Sequence, residues 1–440
     1  MIGVLNSKAL TKIQSVVLVA IIVVAVVGGV AAYVFLNDQE QSSGTIKIGV
    51  LGDLDMLIGK SAWEGVVLAA EQINAAGGVL GRTIEVIAED SDSESGTQDI
   101  VVASAALNRL LGVHKVDYIL TPDGTPFMLS YQETISEHKT ILFGVLSSND
   151  EFTQRVLDDY QKYKYYFRTF PNATHALFGF TDSLVSLREY SGFNKIAFLA
   201  HGGFREFVPI FSNFVSEGYD FEVVYSEFFI TDTLDFSSYL AGVEDSGAEI
   251  LYVWVGTEDG IRLVKEWYDR QSPCVIWGYN AYVGDANGWE LTDGKCEHTT
   301  NGGFPVTAGY PLTSQTLPMR EAYFERWGKY PLHVAAAAYD TLRFILYDAL
   351  ERAQTTETET VITSLEETSI ETSLARDFVF THSHDVMGST DINNPEEDYM
   401  VGMLFQWQDA KLVPMTPQKI KEEAGSIYTY PPWPGPWDDQ

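Results

Sequence analysis

Ser61–Asp90 (SAWEGVVLAAEQINAAGGVLGRTIEVIAED) constrains the fold more than any other stretch. Trp63, Val66, Val67, Ala70 and Ile73 fall near helical spacing and make one apolar stripe. Ser61 is a candidate cap for the start of that helix, and Gly77-Gly78 supply the positive-φ residue that ends it. Ile84, Val86 and Ala88 then alternate with Thr83, Glu85 and Ile87, the period of a strand. Ile46–Leu51 (IKIGVL), just upstream, is a short apolar run of strand character. Strand, helix and strand in so little chain form a βαβ unit, which requires a parallel sheet covered by helices.

At 440 residues the chain is too long for one ordinary core and points to two lobes. Its formal net charge of −33 excludes a general nucleic-acid binder, which needs basic patches against phosphate. It also opposes docking of the folded part on anionic lipid. Solubility outside the cell explains the charge, and a salty habitat is the sharper alternative. Val16–Leu36 is apolar, uncharged and long enough to span a bilayer, which takes about 20 residues. Lys8 and Lys12 precede it, and no basic residue follows until Lys47, so the N-terminus is expected in the cytoplasm and the rest outside. An uncleaved anchor is expected, with a cleaved signal peptide as the rival. In an exported protein the only two cysteines, Cys274 and Cys296, are expected to pair as a disulfide rather than ligate a metal. Asn172-Ala173-Thr174 matches a glycosylation sequon, with chance as the simpler explanation.

Beyond the opening unit, Thr97–Leu111 reads as a helix, Val116–Thr121 as a strand, Phe127–His138 as a helix and Thr140–Gly144 as a strand. The turns Pro122–Pro126 and Val145–Asn149 follow two of these strands. In such sheets ligands bind at strand carboxyl ends, so a site is expected there. Tyr166–Phe170 reads as another short strand. A second βα series starts at Lys195–Ala200 and runs through strands at 222–228, 250–255 and 275–279. Residues 317–353 are helix-rich, Thr355–Thr360 is a polar interruption, and 378–380 and 403–407 read as the last strands. Tyr428–Trp437 (YTYPPWPGPW) is held to extended or polyproline conformations, either docked or exposed to a partner.

The residues carry a more specific signal as a set. Gly65–Arg82 reads G-x-x-x-A-x-x-x-I-N-A-x-G-G-V-x-G-R. LDFSSYLAGVEDSGAEILYVWV follows at 234–255, then EAYFERWGKYP, AAAAYDTL and DALERA between 321 and 353, and Phe-Gln-Trp at 405–407. In order and spacing these motifs resemble type I periplasmic binding proteins, the leucine/isoleucine/valine-binding branch of ABC-transporter substrate-binding proteins. The resemblance covers most of Thr45–Gln408. It implies two doubly wound α/β lobes joined by a three-strand hinge. The expected organisation is a cytoplasmic N-terminus (1–15), an anchor (16–36), a tether (37–45), lobe one (46–168 and 305–378), lobe two (169–304 and 379–415) and a tail (416–440).

In that family a small ligand lies between the lobes. By position, the resemblance implies Thr125 as the hydroxyl of the first loop and Ser147 and Ser148 as those of the second, with Ile58 against the ligand side chain. A carboxylate wants several N–H and O–H donors, which βα loops supply. On lobe two, Phe204 stands near the family aromatic, and Thr257, after Gly256, falls where a tyrosine often lies. Tyr279 and Asn280 lie near the family's ammonium-holding acid, which is missing at the matched position. Glu258, Asp259 and Asp285 are nearby substitutes, and Asp123 is another candidate for a ligand cation. The simpler readings are helix caps for the hydroxyls and first-turn or solvated charges for the acids.

His382-Ser383-His384-Asp385 is a weak start for a metal site, and neither metal nor cofactor is expected. There is no P-loop, no G-x-G-x-x-G after the first strand and no nucleophile elbow. The function expected is extracytoplasmic capture of an amino-acid-like ligand and its delivery to an ABC permease, without catalysis. A ligand-sensing ectodomain acting with a signalling partner is the alternative. An extracellular amidase would need an activated nucleophile, and none is legible.

Overall fold

The structure is a computed structural model describing residues 44–93, 99–388, 399–400 and 402–438. The expected anchor, Val16–Leu36, and residues 37–43 of the tether lie outside these residues. Among the described residues no helix is long and apolar enough to cross a membrane.

Lobe one is built on five parallel strands in the order β2-β1-β3-β4-β5. They are β1 (Thr45–Gly52), β2 (Thr83–Asp90), β3 (Tyr118–Thr121), β4 (Ile141–Gly144) and β5 (Tyr166–Arg168). The helices between them include α1 (Leu57–Ala75), α2 (Ile100–Asn108), α3 (Phe127–His138) and α4 (Glu151–Asp158). Of the expected stripe, Val66, Ala70 and Ile73 are buried and Trp63 and Val67 only half-buried; the buried face of α1 is turned toward Ala62 and Ala69. Ser61 does not cap α1. The helix begins one turn earlier at Leu57, after Met56, and Ser61 is a buried interior residue. Gly77 and Gly78 take positive φ after the helix. At Gly65 a Cβ would meet the Ala335 carbonyl oxygen at 2.1 Å. That close approach is why an alanine run faces α1 from the later helix.

Lobe two has four parallel strands in the order β7-β6-β8-β9. They are β6 (Lys195–His201), β7 (Glu222–Phe229), β8 (Ile250–Val255) and β9 (Val275–Asn280). Its helices include α5 (Ala173–Ser191), α6 (Phe207–Tyr219), α7 (Ser237–Asp245) and α8 (Asp259–Arg270). The sequence pattern gives no clean stripe over α5 because its buried face includes Thr181 and Ser183. Their hydroxyls donate to Leu177 O and Phe180 O, and the Ser183 hydroxyl also accepts from the Trp277 indole. A three-stranded antiparallel sheet adjoins, with β10 (Thr300–Gly303) beside a late hairpin, Met403–Gln408 and Lys411–Thr416.

The chain returns to lobe one after β10, where α9 (Thr316–Trp327) and α10 (His333–Asp340) follow. Thr355–Thr360 is not simply an interruption: the Glu357 carboxylate caps a helix over Thr358–Glu366. Phe380, Val386 and Met400 pack in the lobe-one core, and Leu404 and Trp407 pack in that of lobe two. Residues beyond 378 thus still contribute to the lobe-one core.

The tail is docked on lobe two. Tyr428, Trp433 and Trp437 are buried in its core. The Trp433 ring lies 5.1 Å from Trp267 and 5.2 Å from Tyr268, and its indole donates to Ser272 O at 3.0 Å. The expected disulfide is not formed. Cys274 and Cys296 are free thiols buried in the same core. Cys274 sits just before β9 and Cys296 lies in the turns between β9 and β10, and burial pushes both thiols up to about 12. Each behaves as a small apolar side chain. Asn172 of the sequon is buried, donating to Asp385 and capping α5, so it is no acceptor site for a glycan.

Candidate functional site

The strand orders place the site. In lobe one the chain winds both ways from β1, so the sheet reverses between β1 and β3. In lobe two it reverses between β6 and β8. Crevices outside the carboxyl ends at such reversals are where open α/β sheets bind ligands. Ile58 and Thr125 follow β1 and β3, and Phe204 and Thr257 follow β6 and β8.

The two edges face each other through α5. The Ala173 N–H donates to Ser148 O at 2.7 Å, and the Thr174 hydroxyl to Asp150 at 2.6 Å, so α5 starts on the lobe-one loop. It runs away from that loop, and β6 runs back toward it. The carboxyl ends of β6, β8 and β9 therefore lie on the lobe-one side.

The lobe-one loops divide their hydroxyls. Ser147 is buried and donates to Asp123 O at 2.6 Å, so its hydroxyl ties two loops together rather than facing a ligand. Ser148 is exposed, and among the described residues its hydroxyl makes no hydrogen bond. Thr125 is exposed, its hydroxyl accepting from Asn149 Nδ2 at 3.3 Å. Ile58 is half-buried against the lobe-one core. Asp123 is not free for a ligand cation. Its carboxylate oxygens accept from Ser93 and Tyr131 at 2.7 Å each, and burial raises its carboxyl to about 6.

Arg168 holds the Ser148 loop in place. It is fully buried, and Nη1 donates to Asn149 O at 2.7 Å and Ser147 O at 3.3 Å. Its Nε donates to Asp385 at 2.7 Å, and Asp385 also accepts from Asn172 at 2.8 Å. Sequence reasoning missed this residue. The available signal was a lone guanidinium in an otherwise aromatic strand, which is buried only when paired. The same network absorbs the His382–Asp385 cluster. His384 stacks on Phe167 and bonds Tyr166 O and Glu366, and Asp385 pairs with Arg168.

On lobe two, Phe204 and Tyr279 are half-buried and lie 6.4 Å apart. Thr257 donates to Asp259 at 2.7 Å, and Asp259 also faces Arg262 at 3.5 Å. Both belong to the start of α8. Asn280 is fully buried, donating to Gly260 O at 3.1 Å and accepting from Val283 N at 3.3 Å. It fixes the loop and does not reach the cleft. Asp285 is half-buried with its carboxyl raised by burial, and it accepts from Asn287. Glu258 is exposed. The edges thus bring together Thr125, Ser148 and Asn149 on one side and Phe204 and Tyr279 on the other. Those groups set hydroxyl and amide donors on one edge and aromatic rings on the other. The Ser148 hydroxyl has no base paired to it.

A sequence-family profile described as "Periplasmic binding protein" matches residues 45–392. No curated protein sequence matches. Several solved structures share the fold. One, assigned to branched-chain amino acid ABC transport in Silicibacter pomeroyi, has a TM-score of 0.73 at 18% identity, covering 88% of this chain and 100% of its own. LivJ of Streptococcus pneumoniae, solved with isoleucine, has a TM-score of 0.66 at 17% identity over 84% of this chain and 97% of its own. A solute-binding protein from R. palustris, solved with benzoate, has a TM-score of 0.64 at 15% identity over 84% and 96%.

Proposed function

The chain belongs to the periplasmic binding protein family, and from that premise we propose that it is an extracytoplasmic solute-binding protein. It captures a small polar ligand, an amino acid or a related amide or carboxylate, between its lobes and delivers it to an ABC permease. It performs no catalysis on that ligand. The observation that carries this reading is the exposed Ser148 hydroxyl, which makes no hydrogen bond among the described residues and stands on a loop held by Arg168 at the carboxyl ends of the lobe-one strands. Closure would bring the ligand against both edges at once, so binding favours the closed state. Relatives solved with isoleucine and with benzoate support a carboxylate-bearing ligand. Val16–Leu36 would tether the binding lobes to the outer face of the membrane, raising their concentration near the permease.

The test is native mass spectrometry of the full chain released from detergent micelles, before and after an unfold–refold stripping step. A stoichiometric small molecule that leaves on stripping and restores thermal stability on return is expected. A chain that retains nothing and is stabilised by no amino acid, amide or carboxylate overturns the reading.

A further inference from the structure

Helix α2 turns to solvent a face that its own lobe does not use. Ala103, Ala106 and Leu107 of α2 pack in the lobe-one core, as do Leu110 and Leu111 in the wider, π-type turns that continue it over Arg109–His114. The opposite side carries Val101, Val102, Ala105, Asn108, Gly112 and Val113, all exposed. Val101 is 73% exposed and Val113 72%. A single bare apolar side chain needs no explanation, but a row of them along one helix marks a contact surface.

Charge sets the same face apart. The chain carries 61 acidic residues, and Ile100–His114 contains none of them. Arg109 is the one cation there besides His114, and both are paired within the lobe. Arg109 Nε donates to one Glu89 oxygen at 2.7 Å, and His114 Nε2 meets the other at 2.9 Å. Asp99, just before the helix, accepts from the Val101 N–H as its cap.

The relief of the face is self-complementary. A Cβ at Gly112 would have nothing within 4 Å, so the backbone there lies open to a neighbour. Val101 and Val113 stand roughly 18 Å apart at about 1.5 Å of rise per residue, with Ala105 and Asn108 between them. A two-fold contact repeats each interaction in reverse order. Two antiparallel α2 helices would therefore lay Val101 over the partner's Gly112 and against the partner's Val113, twice.

The charge also names the occupant. Each copy bears a net −33, so approach through an acidic face sets like charges against each other. The α2 face lets two copies meet without that cost, and cores of protein interfaces are depleted of charged residues in the same way. One helix and its flanks reach only the low end of specific interfaces, about 1,200 Å² in total, which suits a dimer in exchange with monomer.

We propose that this face pairs two copies of the chain, lobe one to lobe one, through antiparallel α2 helices. Lobe two takes no part in the contact and stays free to close. The inference does not depend on which ligand the cleft takes.

The experiment is sedimentation equilibrium of the full chain in density-matched micelles, joined to cysteine cross-linking. The wild type is expected to dimerise reversibly, and Val101→Lys to weaken the dimer at least about tenfold while the melting temperature holds. On mild oxidation, a mixture of Val101→Cys and Val113→Cys chains should cross-link far more than either chain alone. The native thiols are buried and stay out of that reaction. The cross-linking separates this contact from pairing through any other segment, and it carries the test if Val101→Lys does not fold. A wild type that stays monomeric overturns the proposal, as do a dimer unmoved by Val101→Lys and cross-linking of either single chain equal to that of the mixture. A bimane label on Val101→Cys that shifts its emission on added phosphatidylcholine vesicles, in a chain that never self-associates, assigns the face to lipid and overturns it as well.

Discussion

The two lobes share one winding pattern but build their facing edges from opposite materials. Lobe one positions its edge with buried charge: Arg168 and Asp385 clamp the Ser147–Asn149 loop, and Asp123 ties two hydroxyl-bearing loops. Lobe two positions its edge with rings, and even its tail adds aromatic side chains to the core. Buried polar networks fix direction, because each bond has a geometry and each loss leaves an unpaired group. Aromatic packing fixes volume and surface and tolerates small shifts. The first edge is thus suited to aiming donors, and the second to covering a ligand.

Breaking the charged clamp should have the largest effect. Arg168→Met leaves Asp385 buried without its partner and should cost about 3–5 kcal/mol in urea unfolding. The double variant Arg168→Met/Asp385→Leu should recover much of that loss. If the single variant unfolds like the wild type, the clamp does not organise lobe one.

The aromatic side comes next. Trp433→Ala removes a ring packed on Trp267 and Tyr268 and should cost about 3 kcal/mol. Hydrogen exchange should place the loss in β8 and β9 and leave β1–β5 protected. Equal loosening of both lobes would contradict the separation of the two cores.

The lobes should also differ in pH response. Asp340 in α10 is fully buried in lobe one, its carboxyl raised by burial to about 7. Its charged form is penalised in the fold. Its contribution is therefore present below the ordinary value near 4 and is lost as pH rises toward 7. His333 has the opposite sense: burial pushes it down to about 4, so its contribution is present above the ordinary imidazole range and is lost as pH falls. Asp340→Asn should flatten the decline between pH 5 and 7, where the wild type loses up to about 1.4 kcal/mol per unit. An unchanged slope in the variant would assign the decline to another group.

The smallest effects separate two neighbouring serines. Ser147→Ala should cost about 1 kcal/mol of unliganded stability, because it frees a buried carbonyl. Ser148→Ala should leave the unliganded melting temperature in place and weaken ligand binding. If Ser148→Ala lowers unliganded stability as Ser147→Ala does, Ser148 is a structural residue.

Much of the fold was legible, because period and punctuation are local. The run Ile250–Val255 reads as a buried strand and is one, and Gly77-Gly78 closes a helix in both sequence and structure. Helix α5 was not legible, because hydroxyls bonded to its own carbonyls stand where a stripe would need apolar residues. The docking of Trp433 on Trp267 joins residues 166 positions apart, and no local pattern carries such a pairing. The site was legible only as loops. Thr125, Ser148, Phe204 and Tyr279 reach the facing edges, whereas Ser147, Thr257 and Asn280 bond within their own lobes. Two adjacent serines look alike in sequence, and their roles part only where one meets a backbone carbonyl.

The sequence by itself determined the winding: alternating strands and helices, two series of them, and the loops where a ligand can sit. These follow from hydrophobic period and glycine stops, which act over a few residues. Only the tertiary structure decided which hydroxyls stay free, that the cysteines remain thiols, and that an arginine and an aspartate 217 positions apart hold the Ser147–Asn149 loop. Those outcomes depend on which groups meet after the chain closes, and desolvation makes each buried polar group find its partner there.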